Sequence, residues 1–181
     1  MNKHALAFAL VAALGVSGAT YAQDTAQKPR AAAAQDKVDR DTRQFFDKAA
    51  QGGMAEVELG KLASDKATHP EVKRFGEHMV QDHSKANQEL MQLAEKHNIT
   101  PTSELEGKHK KAQERLSGLS GAGFDRAYID HMVKDHKEDI ELFEKQAKNG
   151  KQGDVKQFAK QTLPTLQEHL KEAQQIQKSL K

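Results

Sequence analysis

From Asp39 onward, apolar residues recur at three- and four-residue intervals through four long stretches, and strand-type alternation is absent. Such a chain can bury its apolar stripes only by setting helices against one another. The spacing predicts a first helix over 39–67, ended by Thr68-His69-Pro70, where the proline suits the first turn of the next helix. A second helix follows over 70–97, then a loop from Asn98 to Thr102. Ser103 and Glu106 have the spacing of a capping box and predict a short helix to about 117, broken by the stretch from Gly118 to Gly123. A third long helix over 124–149 stops at Asn149-Gly150, and a fourth spans 154–179, with Pro164 predicting a kink or local break. Two short turns and one long connection carrying its own small helix describe an all-α four-helix bundle over 39–180, built from two helical hairpins joined by a crossover.

Residues 1–22 have the pattern of a cleavable signal peptide: Lys3, an apolar run from Ala5 to Val16, then Thr20-Tyr21-Ala22 with small residues for cleavage after Ala22. The apolar run is short against the roughly 20 residues of a membrane span, and no transmembrane segment is expected in the mature chain. Residues 23–38 lack amphipathic pattern and read as a flexible linker. The expected destination is the periplasm of a bacterium. With no cysteine, a lipid-anchored lipoprotein, disulfides, thiolate zinc sites and a cysteine nucleophile are excluded. Against 26 acidic side chains the chain carries 28 basic ones, which gives no electrostatic reason to expect nucleic acid. A protein or envelope partner stays unspecified.

Two internal repeats stand out. Glu56-Val57-Glu58-Leu59 matches Asp139-Ile140-Glu141-Leu142, and Val72-Lys73-Arg74-Phe75 matches Val155-Lys156-Gln157-Phe158 at the same offset, as a duplicated hairpin would. The run from His78 to His83 also resembles that from His131 to His136, at a different offset. A shared local role is the reading of that second repeat.

Each long helix places one metal-ligand-type side chain on its apolar stripe. His83 lies between Met79 and Ala86, His136 between Met132 and Ile140, and His169 between Leu166 and Ala173. Glu56 shares a line with Phe45, Ala49, Leu59 and Ala63. At about 1.5 Å per residue, all four fall near mid-bundle. Burying such groups is costly unless they pair with one another or with a metal. One Glu and three His are a reasonable ligand set for zinc, iron, manganese or copper, with Asp82, Asp135, Asp139 and Tyr128 as supporting or additional partners. The alternative is a polar layer that fixes register. Adjacent Asp and His cannot both face the axis, so solvated aspartates are also expected at 82 and 135. His69, His78, His97, His109 and His131 read as surface, turn or helix-end residues, and Met54, Met79, Met91 and Met132 as core fillers. Gly52, Gly53 and Gly60 read as places of close helix approach.

The run from Ala49 to Gly60 resembles the opening of an exported bacterial domain-of-unknown-function family, number 4142. Pro70 to Phe75, Met79 to His83, Phe124 to Tyr128, Asp135-His136 and Leu163 to Leu170 extend the resemblance. It implies a ferritin-like helical bundle and no particular activity. Ferritin-like di-metal enzymes use Glu-x-x-His pairs. Here Val80, Val133 and Leu166 stand three residues before the histidines, so a single-ion, histidine-rich site is the better expectation. Three functions remain open at this point: an exported metal-binding bundle linked to envelope stress tolerance, a metal-dependent enzyme handling peroxide or oxygen, and an interaction module whose histidines serve packing.

Overall fold

A computed structural model describes residues 38–180. The expected leader and cleavage site, and all of the expected linker except Val38, lie outside them. The elements are α1 (Arg40–Lys66), α2 (Pro70–Lys96), α3 (Gly107–Ser117), α4 (Gly121–Asn149) and α5 (Gly153–Ser179). The chain is therefore all-α, and its four long helices form the bundle that the apolar spacing implies. Among the described residues, no helix is long and apolar enough to cross a membrane.

Local chemistry sets the helix ends. Asp39 caps α1 by accepting from the Thr42 amide at 2.8 Å. Pro70 opens α2, where its missing N–H costs nothing. At the end of α2, Asn98 takes a left-handed φ of 53° and Ile99 N donates back to Ala94 O at 2.9 Å. The Ser103–Glu106 capping box does not form. Glu106 itself is the N-cap of α3, and the loop before it is tied elsewhere, with Thr102 N donating to Asp47 Oδ1 at 3.2 Å. Helix α4 starts three residues earlier than its apolar pattern, because Gly121 accepts a φ of 55°. Helix α5 runs as one element through Pro164, whose exposed face leaves the unbonded Lys160 carbonyl in water.

Pairing within α1–α2 and within α4–α5 makes two hairpins, and α1 packs on α4 while α2 packs on α5. Asp39 pairs with Lys151 at one end of the bundle. At the other end, Asp125 of α4 accepts from Thr68 Oγ1 and, at 3.0 Å each, from the amides of Thr68 and His69. The connection from α2 to α4 therefore crosses the length of the bundle, and α3 lies on it against α1 and α4. Between α1 and α2 the backbones meet at Gly60 and Gly76: a Cβ on either would come within 2.8 Å of the other's carbonyl oxygen.

The core has two apolar halves. One is built around Phe45, Phe46, Phe143 and Phe158, the other around Phe75, Phe124, Tyr128 and Met132. The side chains of Glu56, His83, His136 and His169 are buried as well. Of the expected methionine core fillers, Met91 is corrected: it is 48% exposed, on the outer face of α2.

Candidate metal centre

All four expected ligands come together. Glu56 is 1% and His136 0% exposed, with His83 and His169 also buried. One nitrogen from each of His83, His136 and His169 lies within 4.8 Å of one from each of the others. The ring centroids stand 5.3–5.6 Å apart, and the His83 and His136 rings are nearly perpendicular, at 87°.

Each imidazole has a separate acceptor for its one N–H. His83 Nδ1 sits 2.8 Å from Glu56 Oε2. His136 Nδ1 donates to the Met132 carbonyl at 3.0 Å, inside its own helix, with Glu56 Oε1 a further 3.3 Å contact. His169 Nε2 donates to Asp82 Oδ2 at 3.0 Å. These bonds fix the tautomers, and Nε2 of His83, Nε2 of His136 and Nδ1 of His169 keep their lone pairs. His83 Nε2 is buried without a hydrogen-bond partner among the described residues. His136 Nε2 and His169 Nδ1 face each other at 3.4 Å, with no proton left to join them. Two nitrogens bound to one ion at about 2.0–2.1 Å and a tetrahedral angle stand about 3.3–3.4 Å apart. The spacing suits a shared cation better than a hydrogen bond between rings.

Electrostatics keep these rings in their ligand form. Burial lowers the pKa of His83 and of His169, and pushes that of His136 well below the ordinary imidazole range, with His83 and His169 adding to the effect. Neutral imidazoles result, which is what metal binding needs. Burial also raises Glu56 well above the usual carboxylate range, with the Asp135 charge adding to it.

The four supporting residues divide. Asp82 is half-exposed and holds His169. Asp139 is partly buried and meets Glu56; burial, then Glu56 itself, raises its pKa well above normal. Asp135 is not solvated but 4% exposed, because α3 covers that face of α4. Tyr128 stacks on Phe124 at 5.9 Å, and its hydroxyl has no hydrogen-bond partner among the described residues. Burial and then the Glu56 charge push its pKa up.

Sequence reasoning missed His109. The sequence reads it as a surface, turn or helix-end residue, yet it is 4% exposed and its Nδ1 stands 4.0 Å from Asp135 Oδ2. His131 Nε2 is 3.9 Å from the same oxygen, one helical turn away. Only the i, i+4 spacing of His131 and Asp135 could have signalled this, since the docking of α3 leaves no periodic trace in an 11-residue helix.

The family described as "Domain of unknown function (DUF4142)" matches residues 27–176, and the chain belongs to it. No curated protein matches. Among solved structures, a DUF305 fragment from Deinococcus radiodurans has a TM-score of 0.69 at 11% identity, covering 78% of this chain and 98% of its own. CopM in its Cu(II)-bound form has a TM-score of 0.66 at 16% identity, covering 77% of this chain and 97% of its own. CopM in an Ag-bound form has a TM-score of 0.60 at 15% identity, covering 74% and 93%. At these identities the likeness is one of fold. The buried histidine and acid groups make metal binding by this chain plausible.

Proposed function

We propose that this member of the DUF4142 family is an exported metal-binding bundle that holds one copper ion, preferentially copper(I), between His83, His136 and His169. The observation that carries the reading is the set of three buried imidazoles, each with its N–H held by its own acceptor and one lone pair left over. Metal-ligating histidines characteristically donate their other N–H to a carboxylate or a backbone carbonyl. Glu56, the fourth residue of the expected set, lies beside His83 Nδ1, which supports a role in orienting that ring and balancing the ion's charge.

Imidazole ligands suit copper, zinc, iron and nickel, so the donor set alone does not choose. A three-nitrogen set without added ligands fits a monovalent ion of low coordination number, and the fold likeness to CopM supports copper as the first candidate. Zinc is the second. The signal-peptide pattern of residues 1–22 supports a periplasmic location, where holding a redox-active ion would serve envelope stress tolerance.

The test is elemental analysis of protein purified without an affinity tag, followed by copper(I) and zinc(II) titration against a competing chelator. The parent is expected to hold one equivalent of copper, and a His83→Ala/His136→Ala variant that keeps its helicity is expected to hold none. A parent that takes up neither ion would leave the histidines as a packing layer and turn attention to protein partners.

A small observation favours an enzymatic second reading. A cavity of about 20 Å³ adjoins Glu56, His83 and Asp139, room for roughly one water molecule. An ion reached from that cavity would have an open position for peroxide or oxygen. Turnover of hydrogen peroxide by the copper-loaded parent, absent from the double variant, would support it.

A further inference from the structure

Beside the three imidazoles lies a second cluster, of which the copper reading uses only Glu56. One oxygen from each of Glu56, Asp135 and Asp139 lies within 4.8 Å of one from each of the others. We propose that these carboxylates and His109 form a second cation site, which takes a divalent ion of the manganese type.

The carboxylates alone would not establish a site, since buried acids can share protons. His109 supplies the independent observation. It arrives from α3, a different element, and is 4% exposed with its Nδ1 turned to Asp135 Oδ2. His109 Nδ1 and Asp135 Oδ2 are both buried without a hydrogen-bond partner among the described residues. Two such atoms facing each other are unusual for a finished polar layer, where nearly every buried polar atom is bonded.

Distance separates the two explanations. A hydrogen-bonded layer would draw nitrogen and oxygen to about 2.7–3.2 Å. His109 Nδ1 and Asp135 Oδ2 stand 4.0 Å apart. Two ligands of one ion, each about 2.0–2.2 Å from it, stand about 3–4 Å apart, depending on the angle between them. The observed gap is too long for the first arrangement and within the second.

Charge points the same way. Among the described residues no Lys or Arg forms an ion pair with any of the three carboxylates; Lys108, beside His109 in sequence, is turned to Glu138 at 2.8 Å. A bound cation would supply the missing positive charge. Access exists as well, through a cavity of about 120 Å³ beside Gly52, Lys108, His109 and Asp139. At Gly52 an added Cβ would touch Asp139 Oδ1 at 3.4 Å, so a larger residue there would crowd the approach.

Donor chemistry distinguishes the two centres. Three carboxylate oxygens and one nitrogen suit manganese(II), whereas three nitrogens suit copper. Glu56 is common to both, with Oε2 2.8 Å from His83 Nδ1 and Oε1 3.3 Å from His136 Nδ1. The second site does not rest on the first, because His109 and Asp135 belong to it and not to the copper reading.

The experiment uses manganese(II), followed by loss of the EPR signal of the free ion, on the parent, His109→Gln, Asp139→Asn and His169→Ala. Circular dichroism confirms the helicity of each. The parent is expected to bind one manganese. His109→Gln and Asp139→Asn are each expected to weaken it at least about tenfold, and His109→Gln to leave copper(I) binding as in the parent. His169→Ala is expected to lose copper and retain manganese. Absence of manganese binding by the parent, parental affinity in either second-site variant, or loss of manganese in His169→Ala would each overturn the proposal. If His109→Gln fails to fold, Asp139→Asn decides, because its side chain is only partly buried.

Discussion

Asp82 offers a test of the tautomer argument that leaves the ligands themselves intact. Its Oδ2 accepts from His169 Nε2 at 3.0 Å, and this bond is what leaves Nδ1 of His169 free to face His136. Replacing Asp82 with Ala frees the ring to rotate and to protonate at either nitrogen. Losing such an orienting partner typically weakens metal affinity about 10–100-fold, or roughly 1.4–2.8 kcal/mol. Asn keeps an acceptor but not the charge, so Asp82→Asn should fall between parent and Ala. The Asp82 side chain is 43% exposed, so the metal-free fold should change by less than about 0.5 kcal/mol. Copper(I) competition at pH 7, with thermal unfolding of the metal-free proteins beside it, measures both quantities. An Asp82→Ala variant with parental affinity would refute the reasoning, and so would one whose affinity loss matches a loss of fold stability.

Three further outcomes follow from the packing and charges. Gly60→Ala should destabilise by about 1–2 kcal/mol, because the new Cβ would sit 2.8 Å from the Gly76 carbonyl oxygen and overpacking outweighs the helix-propensity gain; an unchanged or higher Tm would contradict it. Asp125→Ala should cost about 2 kcal/mol, since the carboxylate joins α4 to the α1–α2 turn through three accepted bonds; denaturant unfolding checks it. The metal-free protein should lose stability as pH falls below about 6.5, because His83, His136 and His169 have folded pKa values below their unfolded ones and favour the fold only while neutral. Glu56 and Asp139 act in the opposite sense: with folded values raised, their contribution is present below the ordinary carboxylate range and is lost as pH rises through those raised values. Asp139→Asn should therefore raise the metal-free Tm at pH 7, which a series of melts across pH would show.

Much of this architecture was legible in the sequence because helix stripes are periodic. The positions of Phe45, Phe75, Phe143 and Phe158 give the core directly, and a polar residue on each stripe at similar height gives the convergence of Glu56, His83, His136 and His169. Helix ends were less legible, since competing side-chain partners decide them, as Asp47 does for the segment before α3. Burial of His109 and Asp135 left no trace in the sequence beyond the i, i+4 spacing of His131 and Asp135. It depends on where a short crossover helix docks, and an 11-residue helix has too few turns to display a face. Nor could the sequence separate ligand from supporting residue. Glu56, Asp82 and Asp139 are all carboxylates near histidines, and only distances show which one holds a ring and which one meets another carboxylate. The repeat of His78–His83 in His131–His136 gains a partial meaning: its last histidine joins the imidazole trio in both copies, while the aspartates turn to different neighbours.

The central claim is that the three lone pairs share one ion. Crystals of the protein loaded with one equivalent of copper(I), measured on both sides of the copper absorption edge, would locate it directly. The expected result is one anomalous peak about 2.0–2.1 Å from His83 Nε2, His136 Nε2 and His169 Nδ1, with Glu56 and Asp82 still on the opposite ring nitrogens. A peak on exposed side chains, or copper-soaked crystals with no peak between these rings, would contradict it.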